Sequence, residues 1–179
     1  MKLSALYQIF LDCAVVTTDS RNCPAGSLFI ALKGESFNGN AFAAQALKDG
    51  CAYAIVDEAE YAPENNRHII LVDNCLQTLQ QLANYHRRQL GTKVIGITGT
   101  NGKTTTKELI SAVLSKSHNV LYTEGNLNNH IGVPMTLLRL KAEHELAVIE
   151  MGANHPGEIK FLVHIAEPDY GRVSYTHLP

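Results

Sequence analysis

The chain has no Cys-x-x-Cys pair, no block of lysines and arginines, no apolar run long enough to span a bilayer, and no internal repeat or low-complexity tract. Each absence removes a class of protein. Cys13, Cys23, Cys51 and Cys75 are too widely spaced for a zinc site or a disulfide framework, so free thiols in a reducing compartment are expected. A net charge of −2, with 18% charged residues, gives no basic surface for nucleic acid. The N-terminus, Met1 to Leu6, lacks the long apolar run of a signal peptide, and Asp12 interrupts it early. No stretch suits a membrane span. The expectation is a soluble cytoplasmic protein, with no nucleic-acid partner and no membrane insertion.

What is present is enough apolar material for a packed core. Hydrophobic residues make up 45% of 179, which suffices for one domain or for a small domain and part of another. The first half reads as a small α/β unit. Strands are expected at 27–32, 52–56 and 68–72. Asn40 is placed to cap a helix with Phe42, Ala43, Ala46 and Leu47 inward and Gly50 as its stop. Asp73 or Asn74 caps a second helix carrying Leu76, Leu79, Leu82 and Ala83 on one face, ended by Gly91. A new unit starts near Thr92. Residues 94–98 form a continuous apolar strand of the kind buried on both faces of a parallel sheet. A helix follows with Leu109, Ile110, Val113 and Leu114 as its expected buried stripe, then strands at 119–123 and 146–150. Pro156 suits the first turn of a last helix, with Ile159, Leu162 and Val163 inward. The fold class is α/β.

The chemistry lies in Gly99-Thr100-Asn101-Gly102-Lys103-Thr104-Thr105, between a buried strand and an amphipathic helix. A turn at that place aims successive backbone N–H groups at one point, and the helix start adds the positive end of its dipole. Lys103 would reach the β- and γ-phosphates of ATP, and Thr104 would give its hydroxyl to Mg2+. The spacing departs from the general phosphate loop, whose first glycine would fall on Ile97. Glu150 ends an apolar strand, where ligands collect in open α/β sheets. It is a magnesium ligand or a solvated strand-end glutamate. His155, just beyond it, suits helix capping better than catalysis.

The run from Thr98 to Thr106 resembles the ATP signature of the Mur ligases, which accounts for the unusual glycine spacing. Three further stretches, at 125–138, 148–159 and 18–34, resemble the branch of that family that joins D-alanyl-D-alanine to a UDP-linked muramoyl tripeptide. The similarity covers about residues 14–171. It implies a small N-terminal UDP-sugar-binding domain at 1–88 and, at 89–171, the first part of a parallel-sheet ATPase domain of P-loop type. It further implies ATP and Mg2+ as cofactors, Glu150 and Thr104 as magnesium ligands, and Lys103 and Glu150 as catalytic groups. Ser20 and Arg21 would lie near the uridine nucleotide. Asn128 and Asn129 would lie between ATP and the muramoyl peptide. UDP-N-acetylmuramoyl-tripeptide and D-alanyl-D-alanine would be the substrates, joined through an acyl phosphate, and a monomer is expected.

The resemblance stops after Gly171. Residues 172–179 are expected to be a non-native tail, and the chain a fragment that is inactive by itself. A free-standing nucleotide- or UDP-sugar-binding module and the sister ligase that adds the third stem residue are the competing readings.

Overall fold

The structure is a computed structural model that describes residues 2–176. The chain divides into two compact units, Met1–Leu82 and Ala83–Pro179.

The first unit opens with α1 (Leu3–Leu11), whose buried face is Leu6, Tyr7 and Phe10. Then come β1 (Val16–Thr17), β2 (Leu28–Ile30), the hairpin strands β3 (Lys33–Gly34) and β4 (Phe37–Asn38), α2 (Ala43–Lys48), β5 (Tyr53–Val56) and β6 (Ile69–Leu71). β1, β2, β5 and β6 form one parallel sheet in that order. Leu28, Phe29, Ile30, Ala54, Ile55 and Val56 are fully buried, which is why β2 and β5 read as continuous apolar runs instead of alternating ones. Asn40 does not cap a helix here. Asn38 accepts the Asn40 N–H at 3.0 Å, and the buried Asn40 side chain instead bonds Asp57. A short 3-10 turn precedes α2, and Phe42 faces outward. β1 and the hairpin are too short to stand out in the sequence, whereas α1 carries the helical spacing Leu3, Leu6, Tyr7 and Phe10.

α3 (Cys75–Leu90) begins in this unit. Asn74 is its cap, accepting the Gln77 N–H at 2.8 Å, and Leu79, Leu82 and Ala83 are fully buried.

The second unit holds the end of α3, then β7 (Lys93–Thr98), α4 (Lys103–Leu114), β8 (Val120–Tyr122), α5 (Gly132–Leu137), β9 (Leu146–Glu150), α6 (Glu158–Ala166) and β10 (Tyr170–Val173). The sheet is parallel throughout, in the order β10-β7-β9-β8. Residues 170–173, which straddle the point where the family resemblance stops in the sequence, pair with β7 from Ile95 to Thr98. Arg87 donates to the carbonyls of Ala166 and Glu167, at 3.0 and 2.7 Å, and so satisfies the last turn of α6.

Three further expectations are corrected. The buried face of α4 is not the Leu109/Val113 stripe: those side chains are 64% and 71% exposed, while Lys107 and Ser111 are buried. Ile110 and Leu114 flank both faces, so the helix is turned by about one position against the sheet. Pro156 precedes α6 and lies outside its first turn, because Gly157, at φ 88°, intervenes. The His155 side chain makes no cap bond. The Glu158 carboxylate instead braces the loop ahead of the helix, accepting the N–H groups of Asn154 and His155 at 2.6 and 3.0 Å.

Candidate functional site

In the second unit, parallel pairing of β7 with β9 sets Ile97 beside Glu150, so the glycine-rich turn leaves the sheet next to that carboxylate. Gly99 and Gly102 both have positive φ, 141° and 74°, which a side chain would strain. Gly102 immediately precedes α4, and Thr106 N–H is the first in the helix to reach back, to Gly102 O at 2.9 Å. The amides of Lys103, Thr104 and Thr105 are therefore the free donors that every helix start leaves. Lys103 Nζ lies over the turn, donating to Gly99 O at 2.8 Å and Thr100 O at 3.4 Å. The Thr100 N–H and hydroxyl both donate to Tyr175 O, at 2.8 and 3.1 Å, and Asn101 O accepts from the Ser174 hydroxyl at 2.6 Å. Thr105 is exposed in the first turn.

Glu150 is the focus of this site. It is 1% exposed. Its Oε1 accepts from Asn128 Nδ2 at 2.8 Å and from Thr104 Oγ1 at 3.3 Å, while its Oε2 is buried without a hydrogen-bond partner. The structure therefore brings Thr104, Asn128 and Glu150 together. It does not bring in Asn129, whose side chain accepts the N–H groups of Ile131 and Gly132 at 3.0 and 2.8 Å ahead of α5. A second layer fixes the carboxylate. Glu150 N–H donates to Thr123 Oγ1 at 2.9 Å, and Thr123 O accepts from Lys107 Nζ at 2.6 Å. The Lys107 ammonium, itself buried, also meets Glu108 Oε1 at 2.7 Å and lies 5.7 Å from the centre of the Tyr122 ring. Sequence reasoning missed Lys107 and Thr123. The available signal was a lysine one turn beyond Lys103, on the face that Ile110 and Leu114 share.

An unpaired, buried carboxylate oxygen beside a threonine hydroxyl is a hard-oxygen arrangement, and it fits a divalent cation of the magnesium type. Among the described residues, no three His, Cys, Asp or Glu side chains converge in the manner of an all-protein metal cage. That is the usual situation for Mg2+, which takes one or two protein oxygens and completes its shell with phosphate and water.

In the first unit, Thr18, Asp19, Ser20 and Arg21 face Phe37 and Phe42 across a cavity of about 580 Å3. The two rings stack with centroids 5.2 Å apart and planes 14° from parallel. Arg21 grips Asp19 through Nε and Nη2, both at 2.9 Å, and this holds the Asp19 carboxyl down at about 2. The four cysteines are free thiols, and burial pushes Cys75 up to about 12, far from any nucleophilic role. Among the described residues no helix is long and apolar enough to cross a membrane.

Two parallel α/β sheets, one of them carrying a glycine-rich turn between its strand and helix, define the class. The family model for the Mur ligase middle domain matches residues 97–176, and that for the Mur ligase family catalytic domain matches 13–87. The chain belongs to the Mur ligase family. It is 49% identical, over 154 residues, to the UDP-N-acetylmuramoyl-tripeptide–D-alanyl-D-alanine ligase of Bacillus subtilis (strain 168), covering 86% of this chain and 34% of that one. A crystal structure of MurF from Acinetobacter baumannii superposes with a TM-score of 0.83 at 39% identity, covering 96% of this chain and 40% of that one. MurF ligase from Thermotoga maritima, crystallised in complex with ADP, gives a TM-score of 0.78 at 34% identity, covering 89% and 36%. The chain thus spans about a third of the length of the curated relatives it matches.

Proposed function

We propose that this chain is part of an ATP-dependent ligase that forms the amide bond between UDP-N-acetylmuramoyl-tripeptide and D-alanyl-D-alanine in peptidoglycan precursor synthesis. The observation that carries the reading is Glu150, buried at the end of β9, held by Asn128 and Thr104 beside the glycine-rich turn, with one oxygen left unpaired. The name of the Bacillus subtilis relative supports the choice of substrates, and the ADP complex of the Thermotoga maritima protein supports the choice of nucleotide.

In this reading residues 1–88 bind the UDP-muramoyl peptide, with Ser20 and Arg21 at the nucleotide. Residues 89–171 are the first part of the ATP-binding domain; of the residues beyond them, Arg172 and Val173 pair with β7 in the same sheet, and 177–179 lie outside the described residues. The protein works as a cytoplasmic monomer.

The turn from Gly99 to Thr105 binds the phosphates through the amides that the helix start leaves free, those of Lys103, Thr104 and Thr105. Lys103 leaves the Gly99 and Thr100 carbonyls and meets the β- and γ-phosphate oxygens. Thr104 and Glu150 hold Mg2+, which supplies charge neutralisation at the phosphoryl group when bound. The carboxylate of the muramoyl peptide attacks the γ-phosphorus, ADP leaves, and an acyl phosphate results. The amine of D-alanyl-D-alanine then attacks the acyl carbon, phosphate departs, and the amine proton is lost. The residues contribute positioning and electrostatics, which carry most of the rate in phosphoryl transfer. Asn128 orients the Glu150 carboxylate and Asn129 shapes the loop behind it.

Two measurements test this. Calorimetric titration with ATP, with and without Mg2+, tests the nucleotide half, and absence of ATP binding at millimolar concentration defeats it. Replacing the matching segment of the Bacillus subtilis relative with residues 14–171 tests the reaction. The chimera should make UDP-N-acetylmuramoyl-pentapeptide from the tripeptide, D-alanyl-D-alanine and ATP. A folded, ATP-binding chimera that makes none rejects the assignment.

A further inference from the structure

The hairpin of β3 and β4 has two residues in each strand, too few for its own ladder to hold it in place. It nonetheless presents Phe37, 45% exposed, squarely against Phe42. What holds it is a set of polar contacts to the two residues that follow β5. Lys33 Nζ, from β3, reaches Asp57 Oδ1 at 2.9 Å and Glu58 Oε1 at 3.2 Å. Asn38 Nδ2, from β4, donates to Glu58 Oε2 at 2.7 Å. Asn40 ties the next turn to the same place, donating to Asp57 Oδ1 at 2.9 Å and accepting the Asp57 N–H at 2.8 Å. Asp57 is itself a fixed point: its side chain is 5% exposed, and its other oxygen accepts the Cys75 N–H at 3.0 Å.

Lys33 is thus the cation that joins a buried carboxylate to the strand facing Phe37, since Gly34 pairs with Phe37 and Lys33 with Asn38. Without its ammonium, Asp57 keeps only N–H partners and β3 loses its tie to the sheet. Asn38 and Asn40 then anchor the hairpin from the β4 side only. Phe37 sits beside that anchor and would lose its fixed distance to Phe42.

We propose that Lys33 is a positioning residue for the cavity lined by Ser20, Arg21, Phe37 and Phe42. By fastening the hairpin to Asp57 and Glu58 it holds the stacked phenylalanines as a wall on which the flat base of a pyrimidine nucleotide lies. This rests on the reading that the first unit takes the UDP part of the substrate. A nucleobase offers a π-face to such a wall, and stacking of this kind tolerates few ångströms of displacement.

The test is an NMR titration of the chain with UDP, alongside hydrogen exchange of the hairpin amides. Lys33→Met should weaken UDP binding by about tenfold, the scale of losing one aromatic face. It should also speed exchange at Phe37 and Asn38 while the β2 and β5 amides stay protected. Lys33→Arg, which keeps a cation able to bridge two carboxylates, should restore affinity to within about threefold. Equal UDP affinity in the wild type and Lys33→Met overturns the positioning role alone. Failure of the wild type to bind UDP at millimolar concentration overturns the uridine reading and this proposal with it. Should Lys33→Met not fold, Phe37→Ser decides, because an exposed ring is dispensable for the core. Unchanged affinity in that variant removes the wall.

Discussion

Glu150→Gln separates stability from metal binding, because the two respond in opposite directions. In the folded chain the carboxylate is 1% exposed and one of its oxygens has no hydrogen-bond partner. Leaving a buried polar atom unpaired costs about 1–3 kcal/mol, more when the group is charged. Glutamine keeps the shape and keeps an acceptor for Asn128 and Thr104, now at 2.8 and 3.3 Å from Oε1. The bond to Asn128 loses its ionic character, worth about 1 kcal/mol, and the new amide brings donors that need acceptors. The net expectation is a second unit more stable by about 1–2 kcal/mol, or roughly 4–8 °C of melting temperature per kcal/mol for a unit of this size. The same change removes the negative charge that a hard cation requires. ATP affinity without metal should hold, while its enhancement by Mg2+ should disappear. Urea denaturation followed by calorimetry with ATP, with and without Mg2+, reads both. A variant less stable than the wild type by 1 kcal/mol, or one that keeps full magnesium dependence, would refute the reasoning, because the unpaired oxygen would then not be the metal's place.

Lys103→Ala should weaken ATP binding by roughly 1.5–3 kcal/mol, one charge-assisted contact, with an unchanged melting curve, and unaltered affinity by calorimetry would contradict the phosphate role. Lys107→Met should raise the magnesium concentration needed for half-maximal ATP binding several-fold, because Thr123 loses the donor at its carbonyl and its hydroxyl no longer pins the Glu150 N–H. Gly132→Ala should destabilise by about 1–3 kcal/mol, since a Cβ there runs into the Leu127 backbone, with Leu127 O at 2.7 Å, and a wild-type denaturation midpoint would contradict that packing. The Asp57 carboxyl is raised by burial, but the Cys75 N–H, Lys33 and Asn40 outweigh this and hold it below its ordinary value. A folded value below the unfolded one means that its stabilisation is complete above the unfolded pKa, about 4, and is lost as pH falls through the folded one. Urea midpoints between pH 7 and pH 2 should therefore fall less steeply in Asp57→Asn than in the wild type.

The glycine-rich turn, the strand before it and the helix after it were legible in the sequence. So was Glu150 at the end of an apolar run. Each depends on neighbours a few residues away, through backbone conformation, helix capping and strand burial, and local sequence fixes those. Which face of α4 turns inward was not legible. Leu109 and Val113 have the right spacing and are more apolar than Lys107 and Ser111, yet they stand in solvent. The carbonyl of Thr123, sixteen residues away, gives the Lys107 ammonium a partner that the sequence does not reveal, and its aliphatic stem then serves as core. The same holds for Asn128 against Asn129. The two are adjacent and chemically identical, but only the former reaches Glu150, because Gly152 N–H takes the Asn128 carbonyl at 2.8 Å and fixes its direction. Phe37 and Phe42 likewise look like core residues by composition, and only the ties of Lys33 and Asn38 to Asp57 and Glu58 turn them into the wall of a cavity. Local pattern determined where the glycine-rich turn lies. Pairing between distant segments decided which side chains meet there, because burial of a polar group depends on the partner it finds and not on its own hydropathy.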